Sequence, residues 1–418
     1  MSVVERRVPR NGSPALMRAI NAARLIRELR TTGPMSRASL VRATGLSKPT
    51  ITNLVAYLET LEYIKQVKQP VDIQSSRSAR TPHFEYWASR GHVLGIDVGA
   101  DKTLLLLADL AGTILGSARL NTRGIAPQGS SRIIEEVKKA SEKLLADAKG
   151  STNSLLSVVV GTPGVVSADG VVTMAPQLEG WEGLNLRAAM ADLFECPVTV
   201  EGEVSLSLQA ERWVGVAQGI DDALFVNLGI GVGAGLLVDG QIRRGANGGA
   251  GEIGLMPYPH IRSDGKVELV PLESQTGGGA LLRRGRLLAA TPAGAKVLEI
   301  AGGKASEVDA FAVFKAMRSG DVAATKLVLE VVGPLAWGIS CVVCAVNPQT
   351  IVIGGGLSRA ADLFLSELQE QVSRSVPFPP EWFVSALGDE AVALGAVNKA
   401  TEIVEHDLFV TPDPNRSL

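Results

Sequence analysis

The sequence predicts an α/β protein in which a small, basic, helical N-terminal domain precedes a larger body made of two halves on one plan. Residues 1–80 hold 14 lysines and arginines against 5 acidic residues, whereas residues 81–418 hold 27 against 38. Residues 92–120 and 223–245 repeat one pattern of strands joined by glycine turns. A chain of 418 residues with 46% apolar residues is also too long for one ordinary domain. We therefore expect three domains, at residues 1–90, 91–222 and 223–418.

The composition indicates a cellular setting. Three cysteines, Cys196, Cys341 and Cys344, provide no framework of paired disulfides, so we expect a reducing compartment. The first residues are charged rather than apolar, which predicts no secretory signal. The best candidate for a membrane span, residues 331–346, is too short and contains glycine and proline, so we interpret it as a buried helix. These features predict a cytoplasmic protein without a membrane partner.

Two predicted helices follow a basic arm at residues 1–12. The first opens at Pro14 and ends near Gly33, with apolar residues along one side. The second is capped by Ser36 and ends at a tight turn that contains Gly45. A third helix begins directly after this turn, and this arrangement is typical of a helix-turn-helix.

The third helix, within residues 45–61, has the features of a DNA-recognition helix. A serine supplies its N-cap, a proline sits in its first turn, and apolar residues recur at helical spacing. Its N-terminal end carries short polar and cationic side chains, the chemistry that meets base edges in a DNA groove. The predicted DNA-binding residues are Ser47, Lys48, Pro49, Thr50, Thr52 and Asn53. An amphipathic surface helix is the alternative for this segment alone, but the basic charge of residues 1–80 favours DNA binding.

Two predicted strands, at residues 63–67 and 83–86, are joined by the loop KQPVDIQSSRSARTP. Arg77 and Arg80 lie among small residues in this loop, where they would enter the minor groove or hold phosphates. The pattern is typical of the wing of a winged helix-turn-helix. A basic, solvated loop between domains is the alternative interpretation.

The body is predicted to enclose a cleft between its halves. Its glycine turns leave backbone N–H groups free to face a phosphate. A buried strand within residues 158–172 ends in a Gly-Thr-Pro-Gly turn, and Trp181 follows in a loop that we expect to be exposed. Glu201 and Glu203 fall where a strand gives way to a helix. Glu252 lies in a glycine-rich loop, Glu273 at the start of a helix, and residues 346–358 form a buried strand ending in three glycines.

These motifs together resemble those of the ROK family of repressors and sugar kinases, over almost the full length of the chain. The resemblance rests on LVRATGLSKPTITNLV, GIDVGADKT, GTPGVVSADG, APQLEGWEG, GIGVGAGLLVDGQIRRGANGGAGEIG, NPQTIVIGGGLS and LGDEAVALGA. It implies a two-lobed body similar in fold to actin and hexokinase, of the ribonuclease H-like type. It also implies a sugar bound in the cleft, and, in the kinases of the family, phosphoryl transfer from ATP.

The two phosphate loops depart from the pattern of the family's kinases. The first loop keeps Asp97 and Gly99, but Ala100 and Asp101 replace the second glycine and the threonine. Asp101 would bring negative charge to the place of phosphate oxygens. The second loop, from Gly229 to Gly231, has isoleucine where the kinases have a threonine, so a hydroxyl donor is lost. We therefore expect degenerate phosphate loops and no bound ATP.

The sugar and zinc sites depart from the family pattern as well. Gly202 and Glu203 replace the Asn-Asp pair of the kinases, whose Asp is the catalytic base. Glu252 matches a sugar-binding glutamate, but Leu255 replaces the histidine that also ligates zinc, and residues 262–273 lack the family's cysteine cluster. Neither zinc nor another cofactor is therefore expected, and Cys341 and Cys344 are interpreted as core residues. The predicted ligand-binding residues are Gly164, Glu203, Glu252 and Glu273.

A transcriptional regulator accounts for both the basic N-terminal domain and the body, and we expect it to act as a repressor. It would bind a pseudo-palindromic operator as a dimer or tetramer, with a small carbohydrate as effector and no phosphoryl transfer. Two alternatives stay open. One is an ATP-dependent sugar kinase with an attached DNA-binding domain and Glu203 as base. The other is a ligand-independent DNA-binding protein whose acids are remnants, or charges favoured at helix N-termini, and whose cleft serves dimerisation.

Overall fold

The structure, a computed structural model, describes residues 14–67, 81–262 and 264–409. Its N-terminal part contains three helices and a small antiparallel sheet. The helices are α1 (Pro14–Thr32), α2 (Arg37–Thr44) and α3 (Lys48–Thr60). The strands are β1 (Met35–Ser36), β2 (Ile64–Val67) and β3 (His83–Tyr86), in the order β1-β3-β2.

Local sequence signals account for these helices. The Ser36 side chain accepts a hydrogen bond from a backbone N–H in the first turn of α2, and Gly45 ends α2 in the left-handed conformation with φ 67°. Ser47 caps α3 in the same way as Ser36 caps α2. The three predicted helices and the β2–β3 ribbon are confirmed, whereas β1 was not predicted because two residues carry no periodic pattern. The predicted arginines of the wing, Arg77 and Arg80, lie outside the described residues.

The first half of the body is a five-stranded sheet with helices on its faces. The strands of this half, in which the short β8–β9 hairpin lies between β7 and β10, are β4 (His92–Val98), β5 (Thr103–Asp109), β6 (Ile114–Leu120), β7 (Leu155–Thr162), β8 (Val165–Val166), β9 (Val172–Thr173) and β10 (Val198–Gly202). Its helices are α4 (Thr122–Ile125), α5 (Ser130–Asp147), α6 (Leu186–Ala191) and α7 (Glu203–Val214). The strand order in the sheet is β10-β7-β4-β5-β6, and β8 pairs separately with β9.

The second half contains a second five-stranded sheet and most of the long helices. Its strands are β11 (Ala223–Leu228), β12 (Val232–Val238), β13 (Gln241–Arg243), β14 (Pro257–Ile261), β15 (Val267–Pro271), β16 (Thr350–Gly354) and β17 (Glu381–Val384). Its helices are α8 (Gly277–Ala289), α9 (Ala295–Ile300), α10 (Ala310–Arg318), α11 (Val322–Val346), α12 (Leu365–Ser375) and α13 (Ala391–Phe409). The strand order is β13-β12-β11-β16-β17, and β14 and β15 form a separate ribbon.

The two sheets have the same topology. In each sheet the first three strands form an antiparallel meander, and two later strands add in parallel beside the first strand of that meander. The duplication predicted from the repeated glycine turns is therefore present in the fold. Because the parallel strands of each sheet share a direction, their carboxyl ends and the turns after them collect along one edge.

Helix α13 crosses back from the second half and packs on the first sheet. At Gly95 of β4, an added Cβ atom would lie 2.5 Å from the Ala393 carbonyl oxygen of α13. At Gly395 of α13, an added Cβ atom would lie 1.8 Å from the Leu206 carbonyl oxygen of α7. These glycines let the backbones of β4, α13 and α7 touch, which fixes their mutual positions.

Three predictions about the apolar residues have different outcomes. Residues 331–346 belong to α11, which is apolar and long enough to span a membrane but is mostly buried in the second half, as predicted for a core helix. Trp181 was predicted to be exposed, which is wrong: it is fully buried, and its indole N–H donates to Thr162 Oγ1 at 2.8 Å. Cys344 was predicted to be a core residue, which is also wrong, because its side of α11 faces solvent beside α12.

Replacing Gly395 with alanine tests the close packing of α13 on α7. The new methyl group would meet a backbone carbonyl that no side-chain rotation can move away, so we expect the free energy of unfolding to fall by about 2–3 kcal/mol. Gly356→Ala is the matched control, because Gly356 is exposed and has open space at its Cβ position. Urea denaturation of both variants makes the comparison, and equal midpoints would contradict the packing.

Candidate functional site

The exposed end of α3 is the first candidate functional surface. Lys48, Pro49, Thr52 and Asn53 are exposed, and Thr50 is half-buried. The opposite side of α3 is buried in the N-terminal core through Ile51, Leu54, Val55 and Leu58. The structure therefore places the predicted base-contacting side chains together at the N-terminal end of a helix whose other side is fixed.

Two of the six predicted residues of α3 serve its cap. Ser47 Oγ accepts a hydrogen bond from the Thr50 backbone N–H at 3.3 Å, and the Ser47 and Thr50 hydroxyl oxygens are 2.8 Å apart. The Thr52 hydroxyl donates to the Lys48 carbonyl oxygen at 3.0 Å, which leaves its oxygen able to accept. Lys48 and Asn53 are thus the side chains best placed to reach outward, and Ser47 contributes through the cap.

The second candidate site is a cleft of about 510 Å³ between the two sheets. All four predicted ligand-binding residues line it: Gly164, Glu203, Glu252 and Glu273. Gly99, Gly229 and Gly231 of the two predicted phosphate loops also line it, and Asp97 is buried nearby at the end of β4. The structure thus brings together residues that are up to about 175 positions apart in sequence, from both halves of the body.

Burial and mutual repulsion alter the acidity of these carboxyl groups. Burial, and to a smaller extent the nearby charge of Glu252, together raise the pKa of Glu203 from 4.5 to about 7. Burial, together with the charge of Glu273, also raises the pKa of Glu252. Burial raises the pKa of Asp97 to about 8, with Glu203 acting in the same direction and Lys102 opposing it. Near neutral pH, Glu203 is therefore partly protonated, and its protonated carboxyl group both donates and accepts hydrogen bonds.

A model of the ROK family matches residues 93–402, which is most of the chain. This chain belongs to the ROK family. The match covers both sheets and the cleft, so the two-lobed fold expected from the motifs is confirmed.

Individual relatives in the ROK family include repressors and kinases. The xylose repressor of Caldicellulosiruptor bescii is 25% identical over 403 residues, covering 92% of this chain and 96% of that protein. A glucokinase of Halalkalibacterium halodurans is 28% identical over 312 residues, covering 72% of this chain and 92% of the kinase. A solved ROK family transcriptional regulator, a homologue of the E. coli MLC protein, has a TM-score of 0.76 at 21% identity, covering 94% and 98% of the two chains. The fold of that solved protein therefore extends over nearly the whole of this ROK protein.

An ion pair that sequence reasoning missed joins the lobes of this ROK protein. Arg244, in the loop after β13, lies 3.1 Å by its Nε from the buried Glu201 Oε2 at the end of β10. Arg244 also donates to the Val166 carbonyl oxygen at 3.5 Å. Among the cleft-lining residues that the structure describes, Arg244 carries the only positive charge. The RRGANGGAGEIG motif could have drawn attention to Arg244, which is its second residue. No local pattern, however, identified Glu201 as the partner of Arg244.

A second missed residue contacts Glu203 from the other lobe. Asn227, near the end of β11, donates from its side-chain Nδ2 to Glu203 Oε1 at 3.3 Å. The position expected to supply an amide, 202, is a glycine in this ROK protein. Asn227 therefore places an amide beside the carboxyl group from a different strand, and it lines the same cleft.

The second glycine loop is bonded to the start of α8. The backbone N–H groups of Gly278 and Gly279 donate to the carbonyl oxygens of Gly229 and Ile230, each at 2.9 Å. The Glu273 carboxylate packs beside Gly231, where an added Cβ atom would lie 2.7 Å from its Oε2. The N–H groups at the start of α8 therefore bind carbonyl oxygens of the loop and are not free for phosphate oxygens. The Glu273 carboxylate fills the space beside Gly231 that a phosphate oxygen would need.

The interpretation of Asp101 needs correction. It was expected to bring negative charge to the first phosphate loop, but Arg123 pairs with it through Nη2 at 2.6 Å and Nε at 2.9 Å. Asp101 is exposed, and the cleft is lined by Ala100 instead. The case against a nucleotide therefore depends on the missing hydroxyl groups and on Glu273 rather than on Asp101.

Within residues 14–67, 81–262 and 264–409, no group of three His, Cys, Asp or Glu side chains is arranged to hold a metal ion. Leu255, which replaces the family's zinc-ligating histidine, lines the cleft. Cys341 and Cys344 lie on α11 as free thiols, away from the cleft.

The raised pKa of Glu203 predicts a pH-dependent stability. Between its ordinary value of 4.5 and about 7, the folded protein keeps a proton that the unfolded chain has lost, so the free energy of unfolding falls as pH rises through this window. Glu203→Gln should flatten this slope and make the protein more stable than the parent at pH 8. Urea denaturation from pH 5 to 8 measures the slope, with the exposed Glu179→Gln as control. Identical pH profiles for the parent and Glu203→Gln would refute the assignment.

Proposed function

We propose that this ROK protein is a DNA-binding transcriptional regulator, acting as a repressor, and that a sugar bound in the cleft controls it without phosphoryl transfer. The observation that carries the proposal is the combination of two sites in one chain. The exposed N-terminal end of α3 suits DNA, and a carboxyl-lined cleft with altered phosphate loops suits a sugar but not ATP. The proposal is supported by a near full-length match to a protein named xylose repressor.

The proposed contact with DNA follows from the position of α3. A recognition helix meets base edges with its N-terminal residues, and those residues are exposed here. Lys48 supplies positive charge for the phosphate backbone, and the Asn53 amide suits an adenine edge. Because one such helix reads only a half-site, we propose a homodimer, or a dimer of dimers, on a pseudo-palindromic operator. We also propose that the protein acts in the cytoplasm, because operator binding requires access to DNA.

The proposed effector follows from the chemistry of the cleft. A volume of about 510 Å³ accommodates a monosaccharide. Carboxyl groups at Glu203, Glu252 and Glu273 suit a ligand with many hydroxyl groups, because each hydroxyl both donates and accepts. We propose a neutral aldose, and D-xylose is the first sugar to test because of the names of the relatives.

A sugar kinase with an attached DNA-binding domain is the second candidate. A pKa of about 7 at Glu203 is the value expected of a general base, and this observation favours the kinase. The missing hydroxyl at Ile230 and the acid beside Gly231 oppose it, because the transferred phosphoryl group needs donors and cations around it. We therefore propose a cleft that binds sugar and does not phosphorylate it.

Substitutions on α3 test the DNA contact. Asn53→Ala should weaken operator binding by about 1–3 kcal/mol and relax base preference at one position, because a bidentate base contact is lost. Lys48→Ala should weaken binding to all sequences and lower the salt slope by about 1, because one phosphate contact is lost. Thr60→Ala, at the exposed far end of α3, is the matched control. Fluorescence anisotropy at several salt concentrations measures these effects, and unchanged affinity in both variants would refute the assignment.

Titration calorimetry and a coupled ATP assay test the cleft. We expect heat of binding with D-xylose or another aldose in a sugar panel, loss of binding in Glu252→Gln, and no ATP turnover with any sugar. Glu179→Gln, outside the cleft lining, should bind like the parent. Turnover that Glu203→Gln abolishes would establish the kinase instead. Operator binding without a response to any sugar would favour the ligand-independent regulator.

A further inference from the structure

The DNA-binding part and the body meet where α1 lies against α13. Arg30 Nη1 of α1 is 2.6 Å from Glu405 Oε1 of α13, and each side chain is about one quarter exposed. Within residues 14–67, 81–262 and 264–409, this is the only ion pair that links residues 14–90 to the body. Arg27 also faces Glu405, and Tyr86 of β3 lies close to it. Charged side chains from both parts therefore meet at this junction.

Helix α13 connects this junction to the cleft through α7. The first residue of α7 is Glu203, which lines the cleft. Farther along α7, the Gln209 side chain donates to Glu402 Oε1 at 2.7 Å and also to Asn398 Oδ1, both on α13. Glu402 lies one helical turn before Glu405 on α13. The helices α7 and α13, joined by the hydrogen bonds of Gln209, thus connect a cleft residue to the partner of Arg30 in the DNA-binding part.

The start of α13 is held by both lobes. Asp389, just before α13, pairs with Lys102 from the loop after β4 and with Arg359 from the segment after β16, the latter at 2.9 Å. A change in the angle between the lobes must therefore alter the pairing of Asp389. Because Gly395 and Gly95 pack backbone against backbone, a displacement of α13 cannot be absorbed by side chains at these points.

We propose that α13 transmits the state of the cleft to the DNA-binding helices, and that the Arg30–Glu405 ion pair is the contact through which it acts. The inference rests on the proposed function and adds the route of regulation to it. Sugar binding changes the lobe angle, Asp389 and α7 shift α13, and the position of α1 on α13 changes at Arg30. The pair is an allosteric contact because it biases two arrangements of one junction.

Loss of the ion pair should uncouple the two sites without removing either. In Arg30→Gln and in Glu405→Gln, operator binding without sugar and sugar binding without operator should stay within about twofold of the parent. The change in operator affinity caused by saturating D-xylose, or by whichever aldose binds, should fall from the roughly 5- to 150-fold typical of allosteric coupling to less than about twofold. Fluorescence anisotropy on the full chain, with and without sugar, measures both quantities.

Three further variants make the test specific. Arg24→Gln removes the same charge from an exposed position on α1 and should keep the full response to sugar. Arg30→Lys keeps the charge and should retain most of the response, which separates loss of coupling from damage to the fold. The charge swap that combines Arg30→Glu with Glu405→Arg should restore the response.

The outcomes separate failure of this inference from failure of the proposed function. A parent protein that binds no operator, or whose operator affinity does not respond to any sugar, refutes the proposed function and the inference with it. A parent that responds while Arg30→Gln and Glu405→Gln respond equally refutes the inference alone. Loss of response in both single variants without recovery in the charge swap also overturns the assignment to this pair.

Discussion

The close approach of three backbone segments, β4, α13 and α7, is the contact on which the arrangement of both sites depends. Gly95 and Gly395 have no side chains, so these segments can approach each other closely. As a result, the last long helix of the second half becomes part of the first lobe. The same contact places Glu203, at the start of α7, in the cleft and Glu405, near the end of α13, against α1. One packing requirement thus sets the distance between the ligand site and the DNA-binding part.

The electrostatics of the cleft follow from burying several acids beside one cation. Arg244 is already paired with Glu201, so Glu203, Glu252 and Glu273 lack a cation of their own among the described lining residues. Burial raises the pKa values of Glu203 and Glu252, and repulsion from a neighbouring acid, Glu252 for the first and Glu273 for the second, acts in the same direction. A buried cluster of acids favours a neutral ligand with hydroxyl groups and disfavours the additional negative charge of a phosphate. The altered glycine loops and the acidic cluster therefore point to the same class of ligand.

The sequence predicted features that depend on local chemistry, and it failed where long-range packing decides. The caps at Ser36 and Ser47, the glycine turns and the duplicated sheets were predictable because propensity and periodicity specify them within a few residues. The four ligand-site residues were placed in one cleft by family motifs. Trp181 was misplaced because a glycine-rich loop looks exposed until its fold over the core is known. The pairs Arg244–Glu201 and Arg30–Glu405 were invisible because no local pattern links partners so far apart.

Catalysing phosphoryl transfer and switching between two arrangements place different demands on a sugar-binding cleft. A regulator can therefore use a kinase-like cleft that lacks groups needed for catalysis. A kinase must stabilise the transition state of phosphoryl transfer, which requires donors around the phosphate and a base at a fixed distance. A switch requires only that the sugar bind one lobe arrangement more tightly than the other, and about 1.4 kcal/mol of difference already shifts the equilibrium tenfold. The loss of the hydroxyl at Ile230 harms the first task and leaves the second intact. Contacts such as Asn227–Glu203 and Arg244–Glu201 join cleft residues of the two lobes, so they would bear on the second task directly.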